Sequence, residues 1–297
     1  MEIAIMVEGQ NGLNWPRWQR LALAVEALGF ASLYRSDHYT NARPPDLDSL
    51  ELWVSLTWLA SHTTRIEFGP LVTPVSFRHP TMTARMASAV DDLSGGRLTL
   101  GLGAGWQERE HDHFGWDLLD VPRRFARFQE GLEVVTRLLA NDSPVDFAGE
   151  FYRLREAILL PRPQRPGGPP ILVGGNGRRR TLPLVVRYAS EWNATFQPPA
   201  RFAELSAHLT GMLSAAGRDP STVRRSMMTG CYFGRDEAAL RRKLGDRAPA
   251  DLRQRGMVVG TPAEAVDQLG RLAEAGLQQI MLQWLDLDDL DGLEGLA

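Results

Sequence analysis

Residues 32–39 read SLYRSDHY: Ser32, Leu33 and Tyr34, which suit a buried strand, run straight into Arg35, Ser36, Asp37 and His38 with no glycine or proline between them. An imidazole beside a carboxylate can hold or move a proton near neutral pH, because an unperturbed histidine titrates near ~6.5. Such a pair can equally do no more than cap a loop, so its neighbours matter. GPLVTPVSFRHP, residues 69–80, brings Arg78 and His79 behind Pro70 and Pro74, which cannot donate to a sheet ladder and force the backbone to bulge. LGLGAGWQEREH, residues 100–111, removes side chains at Gly101, Gly103 and Gly105. A flat ring or a phosphate could then approach the main chain, although close packing inside a barrel would ask for the same glycines, and the spacing is not a dinucleotide fingerprint. ILVGGNGRRR, residues 171–180, sets an apolar strand, Gly174-Gly175-Asn176-Gly177 and a helix opening with arginines in a row. Exposed amides, a positive helix end and side-chain cations together make a phosphate site; the other reading is a plain glycine turn with solvated arginines.

Other chemistries fit less well. Glu108, Glu110, His111 and His113 are metal-ligating types, but His-x-His on a helix points its rings to different sides, and we expect no metal. Asp286, Asp288, Asp289 and Asp291 lack the calcium-loop pattern, because Leu290 sits where an oxygen ligand should be, which leaves a solvated tail. The sequence has no G-x-S-x-G, and its single cysteine, Cys231, has no candidate base beside it and excludes disulfide frameworks and multi-cysteine metal sites. A net charge of −3 argues against nucleic-acid binding. No apolar run approaches the ~18 residues of a membrane span, and MEIAIMV has neither the basic flank nor the length of a signal peptide, so we expect a cytoplasmic protein. A glycine-lined mouth, a phosphate loop and a histidine suit a phosphate-bearing flat cofactor doing redox work.

The elements that must position these groups alternate. Strands are predicted at Glu2 to Val7, Ser32 to Arg35, Arg65 to Val72, Arg97 to Leu102, Ile171 to Val173, Trp192 to Phe196, Arg224 to Phe233 and Gln279 to Leu285. Helical sequence follows each strand but the last: Trp18 to Leu28 ended by Gly29, Leu50 to Ala60, Pro80 to Gly95, a stripe from Phe125 to Leu138, stretches from about Arg178 and Arg201, and Asp236 to Gln254. Thr261-Pro262-Ala263-Glu264 is a capping box opening a further helix ended by Gly276. Repeated βαβ units require a parallel sheet, and we read one (β/α)8 barrel domain over 1–297 with an irregular, proline-rich insertion around 142–170; an open doubly wound sheet is the alternative. A hydrophobic content of 43% over 297 residues suffices for one large core. Catalytic groups in such barrels sit where strands end, which is where Asp37 and His38 fall.

RSDHY, FGPLVTPVSFRHP, LSGGRLTLGLGAGW, the RFxRFxEGLEVV helix, VGGNG and VGTPAEAVDQL, in this order over nearly the whole chain, resemble the luciferase-like flavin and deazaflavin oxidoreductases, and most closely the branch using coenzyme F420. The resemblance implies a (β/α)8 barrel, a hydride passed between a deazaflavin and a small organic substrate, and His38 as the catalytic histidine. It places the cofactor phosphate at Gly174, Gly175 and Gly177 with Asn176 and Arg178 beside it, and Asp37, Pro70, Leu71, Thr73, Gly103, Ala104, Gly105 and Arg109 around the rest of the cofactor. It also implies a non-prolyl cis peptide, by position between Pro70 and Leu71, and, with the apolar helices after strands two and three, a homodimer. Where the F420-dependent glucose-6-phosphate dehydrogenases carry a tryptophan after the histidine and a glutamate after the glycine run, this chain has Ala42 and Trp106. Trp106 therefore points to an apolar or aromatic substrate surface. The alternatives are an FMN-dependent monooxygenase of the same fold and a non-catalytic barrel that carries a flavin.

Overall fold

The computed structural model describes residues 1–297. The first half of the chain forms β1 (Glu2–Val7), α1 (Trp15–Ala27), β2 (Ser32–Arg35), α2 (Leu52–His62), β3 (Glu67–Pro70), β4 (Thr73–Pro74), α3 (Pro80–Ser94), β5 (Leu100–Gly103), α4 (Glu108–Phe114) and α5 (Val121–Ala140). Within the predicted insertion, β6 (Val145–Ala148) and β7 (Arg153–Ala157) pair as an antiparallel hairpin. The alternation resumes with β8 (Ile171–Gly174), α6 (Thr181–Tyr188), β9 (Glu191–Thr195), α7 (Pro199–Ala215), β10 (Arg224–Phe233), α8 (Glu237–Leu244), α9 (Pro249–Gln254), β11 (Val258–Gly260), α10 (Pro262–Glu274), β12 (Gln279–Gln283) and α11 (Leu290–Leu296).

Local chemistry sets the helix ends. The Asn14 side chain accepts from the Arg17 amide to open α1, Gly95 closes α3 in the left-handed region at φ 72°, and the predicted capping box of Thr261 and Glu264 opens α10. The strands are parallel and run in the order β3-β2-β1-β12-β10-β9-β8-β5-β4, with β11 added on β10. β3 and β4 are two halves of one crossing, so this order closes on itself, and a bridge from Phe68 to Leu98 seals the seam. The fold is a (β/α)8 barrel, not an open sheet.

Several boundaries differ from the sequence expectation. The third strand was expected unbroken from Arg65 to Val72, but it breaks at a cis peptide between Leu71 and Val72, not between Pro70 and Leu71. The reason is that the Leu71 amide still donates to the Arg35 carbonyl at 2.7 Å, so pairing with β2 carries the chain one residue further before it turns. The stretch from Asp236 to Gln254 is two helices, because Gly245 at φ 55° and Pro249 interrupt it. β11 follows the second of them, unforeseen because only three residues separate Met257 from Thr261. The acidic stretch is not a free tail: Asp288 pairs with Arg17 and Arg20, and Asp289 pairs with Lys243 and caps α11.

Side chains alternate along each strand, so the barrel has an outer and an inner set. Ile5, Val7, Leu33, Phe68, Leu100 and Val173 face the helices within one large apolar cluster. Ala4, Met6, Tyr34, Leu71, Leu172 and Met281 fill the interior. The glycines of β5 belong to this interior packing: a Cβ on Gly101 would lie 2.1 Å from the Pro70 carbonyl oxygen, and one on Gly103 would lie 2.5 Å from Val72 Cγ2. Backbone cannot yield as a flexible side chain can, so Gly101→Ala is expected to destabilise the fold by about 3 kcal/mol. Unchanged midpoints in chemical denaturation would contradict this.

Below the apolar layer, at the pole where strands begin, Glu191 is 4% exposed and accepts from the Ser226 hydroxyl, which in turn accepts from Asn193 Nδ2 at 2.9 Å. Burial pushes the Glu191 carboxyl up to about 7 from an ordinary 4.5. A carboxyl raised in the folded state favours folding most below the unfolded value, and that advantage fades as pH climbs through the folded one. Between about pH 4.5 and 7 the wild type therefore loses up to about 3 kcal/mol relative to Glu191→Gln. Denaturant titrations of both proteins at pH 5 and pH 8 measure this, and parallel pH dependences would refute it.

Candidate active site

At the opposite pole, where the strands end, a cavity of about 510 Å³ opens. The inward-facing series of several strands reaches it: Met6 and then Glu8 after β1, Ser36 after β2, Gly103 on β5, Gly174 on β8, Thr195 on β9, Met228 on β10 and Gln283 on β12. Asp37 and His38, which follow β2, are both in its wall. This is why a buried strand runs directly into polar residues at SLYRSDHY.

The two groups have different partners. Asp37, 4% exposed, accepts from Thr73 Oγ1 at 2.6 Å and is paired with Arg78, which also bonds Glu51. Burial raises the Asp37 carboxyl, and the Arg78 charge opposes that rise. For Arg78 burial works against the charge, but Asp37 outweighs it and holds the guanidinium firmly protonated. Asp37 is thus a fixed anchor that ties β2 to the loop after β4.

His38 turns instead to Glu110 of α4: Nδ1 lies 2.9 Å from Glu110 Oε1, while Glu110 Oε2 accepts from the Tyr39 amide at 3.2 Å. Glu110 is 1% exposed, and Gln107 Nε2 lies 3.3 Å from the same Nδ1 while donating to the Thr40 carbonyl. A carboxylate against Nδ1 fixes the tautomer with the proton on Nδ1 and leaves Nε2 as the working nitrogen. Burial opposes charging of His38, but the hydrogen bond and charge of Glu110 prevail and raise its pKa above the ordinary value. Trp106 meets His38 edge-on at 5.4 Å and 84° and is 61% exposed, forming an outer wall beside the imidazole.

The other end of the cavity is formed by Gly174, Gly175 and Thr181. Asn176 is clipped to β9 through Thr195, accepting from its amide at 3.0 Å and donating to its carbonyl at 2.8 Å. Gly175 sits at φ 125°, where only glycine is comfortable, and its amide and carbonyl are tied to Asn193 and Trp192. The amides of Asn176 through Arg180 donate to no acceptor in the protein. They precede α6, which begins at Thr181 instead of the expected Arg178, so uncommitted N–H groups and a positive helix end coincide.

The structure brings Asp37, His38, Leu71, Gly103, Ala104, Gly105, Trp106, Gly174 and Gly175 onto one cavity wall. Thr73 lies behind Asp37, and Asn176 and Gly177 form the turn behind Gly175. Three expected residues stay outside: Pro70 packs beneath against Gly101, Arg109 pairs with Asp46 and the Asn41 carbonyl, and Arg178 pairs with Glu204. Glu8 and Arg124 line the cavity without being expected there, and Glu110, weighed in the sequence only as a metal-ligand type, lines it too. Glu8 receives Gln283 Nε2 at 2.6 Å, and Arg124 of α5 holds the carbonyls of Leu118 and Leu119 without forming an ion pair. A signal for Arg124 was available, since Arg123, Arg124 and Arg127 crowd the end of α5 where the helix dipole disfavours cations. The remaining suspects have structural duties: His111 bonds Ser76 Oγ at 2.8 Å and the Gln107 carbonyl, His79 caps α3, and burial pushes the Cys231 thiol up to about 12.

The profile of the luciferase-like monooxygenase family matches residues 1–255. The chain belongs to that family. Among luciferase-like relatives it is 32% identical to the 4-hydroxyprotoasukamycin monooxygenase of Streptomyces nodosus subsp. asukaensis, over 70% of this chain and 56% of the relative. It is 31% identical to an F420-dependent hydroxymycolic acid dehydrogenase of Mycobacterium tuberculosis, over 74% of this chain and 60% of that one. The chain thus spans a little over half the length of these two relatives. An F420-dependent secondary alcohol dehydrogenase, solved with an F420-acetone adduct, superposes with a TM-score of 0.85 at 20% identity over 100% of this chain and 98% of that one, a likeness of fold.

Proposed function

We propose that this luciferase-like protein is an F420-dependent oxidoreductase acting on a small organic substrate. The observation that carries the reading is one cavity bounded at one end by Gly174, Gly175 and Thr181, the residues that flank a turn of uncommitted amides at Asn176 through Arg180, and at the other by a carboxylate-held imidazole. That turn fits a phosphate, and the apolar stretch between, with Leu71, Val72 and Gly103 to Gly105, fits a flat ring. When bound, the deazaflavin supplies the site that gives or takes a hydride. The amides of the turn, the Thr181 hydroxyl and Arg124 hold the phosphate, and Asp37 with Thr73 keeps the wall beside the ring in place. His38 gives or accepts the proton at Nε2 that accompanies hydride transfer, while Glu110 sets its tautomer and charge. Trp106, Val121 and Phe125 present an apolar and aromatic face to the substrate and exclude water.

The Streptomyces relative favours a second reading, a reduced-FMN monooxygenase in the same cavity. Titrating the purified protein with coenzyme F420 and with FMN separates them: saturable binding of F420 at lower concentration is expected, and binding of FMN alone would overturn the cofactor choice. We further infer that the chain works as one barrel unit in the cytoplasm, consistent with its lone, unpaired Cys231. No helix is long and apolar enough to cross a membrane. Val54 on α2 and Met82 on α3 are exposed and support a homodimer through these helices. Sedimentation at micromolar concentration is expected to give a dimer; a monomer would refute it.

A further inference from the structure

One corner of the main cavity carries an acceptor that the proton transfer at His38 does not use. Glu8, which follows β1, and Gln283, which ends β12, both line the cavity and stand on neighbouring strands. Gln283 Nε2 lies 2.6 Å from Glu8 Oε1, and Gln10 Nε2 lies 2.9 Å from Glu8 Oε2. A carboxylate only accepts, so each amide must turn its nitrogen toward it. Gln10 is pinned from its other side as well: the Gly9 amide donates to Ser36 Oγ at 2.8 Å, and that hydroxyl donates to Gln10 Oε1 at 2.8 Å. Gln283 Oε1 is thereby left over. The unpartnered amide oxygens of Gln107 and Gln279 are sealed by packing, whereas that of Gln283 has no donor in the protein and is open to the cavity.

The place of that oxygen decides what reaches it. In the closed strand order β1 lies opposite β8, with three strands between them on either side, so the corner is across the mouth from the turn at 174–177. It adjoins β2, whose end carries His38. We propose, resting on the oxidoreductase reading above, that Gln283 positions the substrate by accepting at Oε1 a hydrogen bond from a hydroxyl group on it, and that the substrate class is a neutral, hydroxyl-bearing molecule with an apolar body. Met228 on β10 and Phe196 after β9 supply the apolar wall beside the corner. The Glu8 charge disfavours an anionic group there, which is why the class is neutral.

The test compares benzyl alcohol with benzyl methyl ether, which share the aromatic body and the oxygen and differ in the O–H. Both are titrated calorimetrically into the full chain without cofactor. Tighter binding of the alcohol by about three- to tenfold is expected, the worth of one neutral hydrogen bond. Gln283→Met keeps the length of the side chain and removes the acceptor, so it is expected to weaken the alcohol by that factor and leave the ether unchanged; a packing role would weaken both alike. Glu8→Gln keeps the shape but frees the Gln283 amide to turn, and it is expected to bring the two affinities together without loss of ether binding; this variant decides alone should Gln283→Met fail to fold. No saturable binding of either probe, equal affinities in the wild type, or a preference that survives Gln283→Met would each overturn the proposal. Failure of coenzyme F420 to bind would overturn the oxidoreductase reading instead, and the titrations without cofactor would still decide the contact at Gln283.

Discussion

Replacing His38 with alanine is expected to lower kcat by roughly 10²–10⁴-fold while leaving the affinity for coenzyme F420 nearly unchanged. The imidazole is the one titratable side chain in the cavity wall with a nitrogen left over: Nδ1 is occupied by Glu110, and Nε2 is free. Asp37 cannot substitute for it, since both of its oxygens are engaged by Arg78 and one also by Thr73. Glu110→Gln distinguishes catalysis from packing at the same place. It keeps the shape of the side chain but removes the charge that raises the His38 pKa, so the limb of the pH–rate profile assigned to His38 moves to lower pH. Unchanged turnover in His38→Ala, or a profile that does not move in Glu110→Gln, would remove the histidine from the mechanism.

Arg124→Ala is expected to raise the Kd for coenzyme F420 by roughly 10–100-fold, with kcat at saturation little changed. Arg124 lines the cavity and is bonded only to carbonyls, so its charge is available to an anion, and a charge-assisted hydrogen bond contributes about 1.5–3 kcal/mol. The fold has little stake in this cation, which sits at the end of α5 where the helix dipole repels it. Fluorescence titration of wild type and variant measures the ratio. Equal affinities would mean that the anion is held elsewhere.

The parts of the barrel legible in the sequence are those where local chemistry and tertiary demand agree. β2 and β10 take the bounds expected of them, Ser32–Arg35 and Arg224–Phe233, and α3 runs from Pro80 to its stop at Gly95, because periodicity, proline and glycine each act within a few residues. β3 was harder, since the hydrogen bond that carries pairing through Leu71 comes from Arg35 on another strand. The site divides in the same way. Asp37, His38 and the 174–177 turn are legible because they lie at strand ends, but Glu110 stands in the sequence among a group of metal-ligand types. Only the fold shows that its carboxylate crosses 72 positions of sequence to reach His38. Arg109 and Arg178 went the other way, being cations beside the right motifs whose charges nearby surface carboxylates take up.

The most direct test of the account is a crystal structure of the protein with coenzyme F420 bound. It is predicted to show the phosphate oxygens within hydrogen-bond distance of the amides of residues 176–180 and the ring extending from there toward His38 Nε2. A phosphate bound away from that turn, or a ring whose reactive edge lies out of reach of His38, would contradict it.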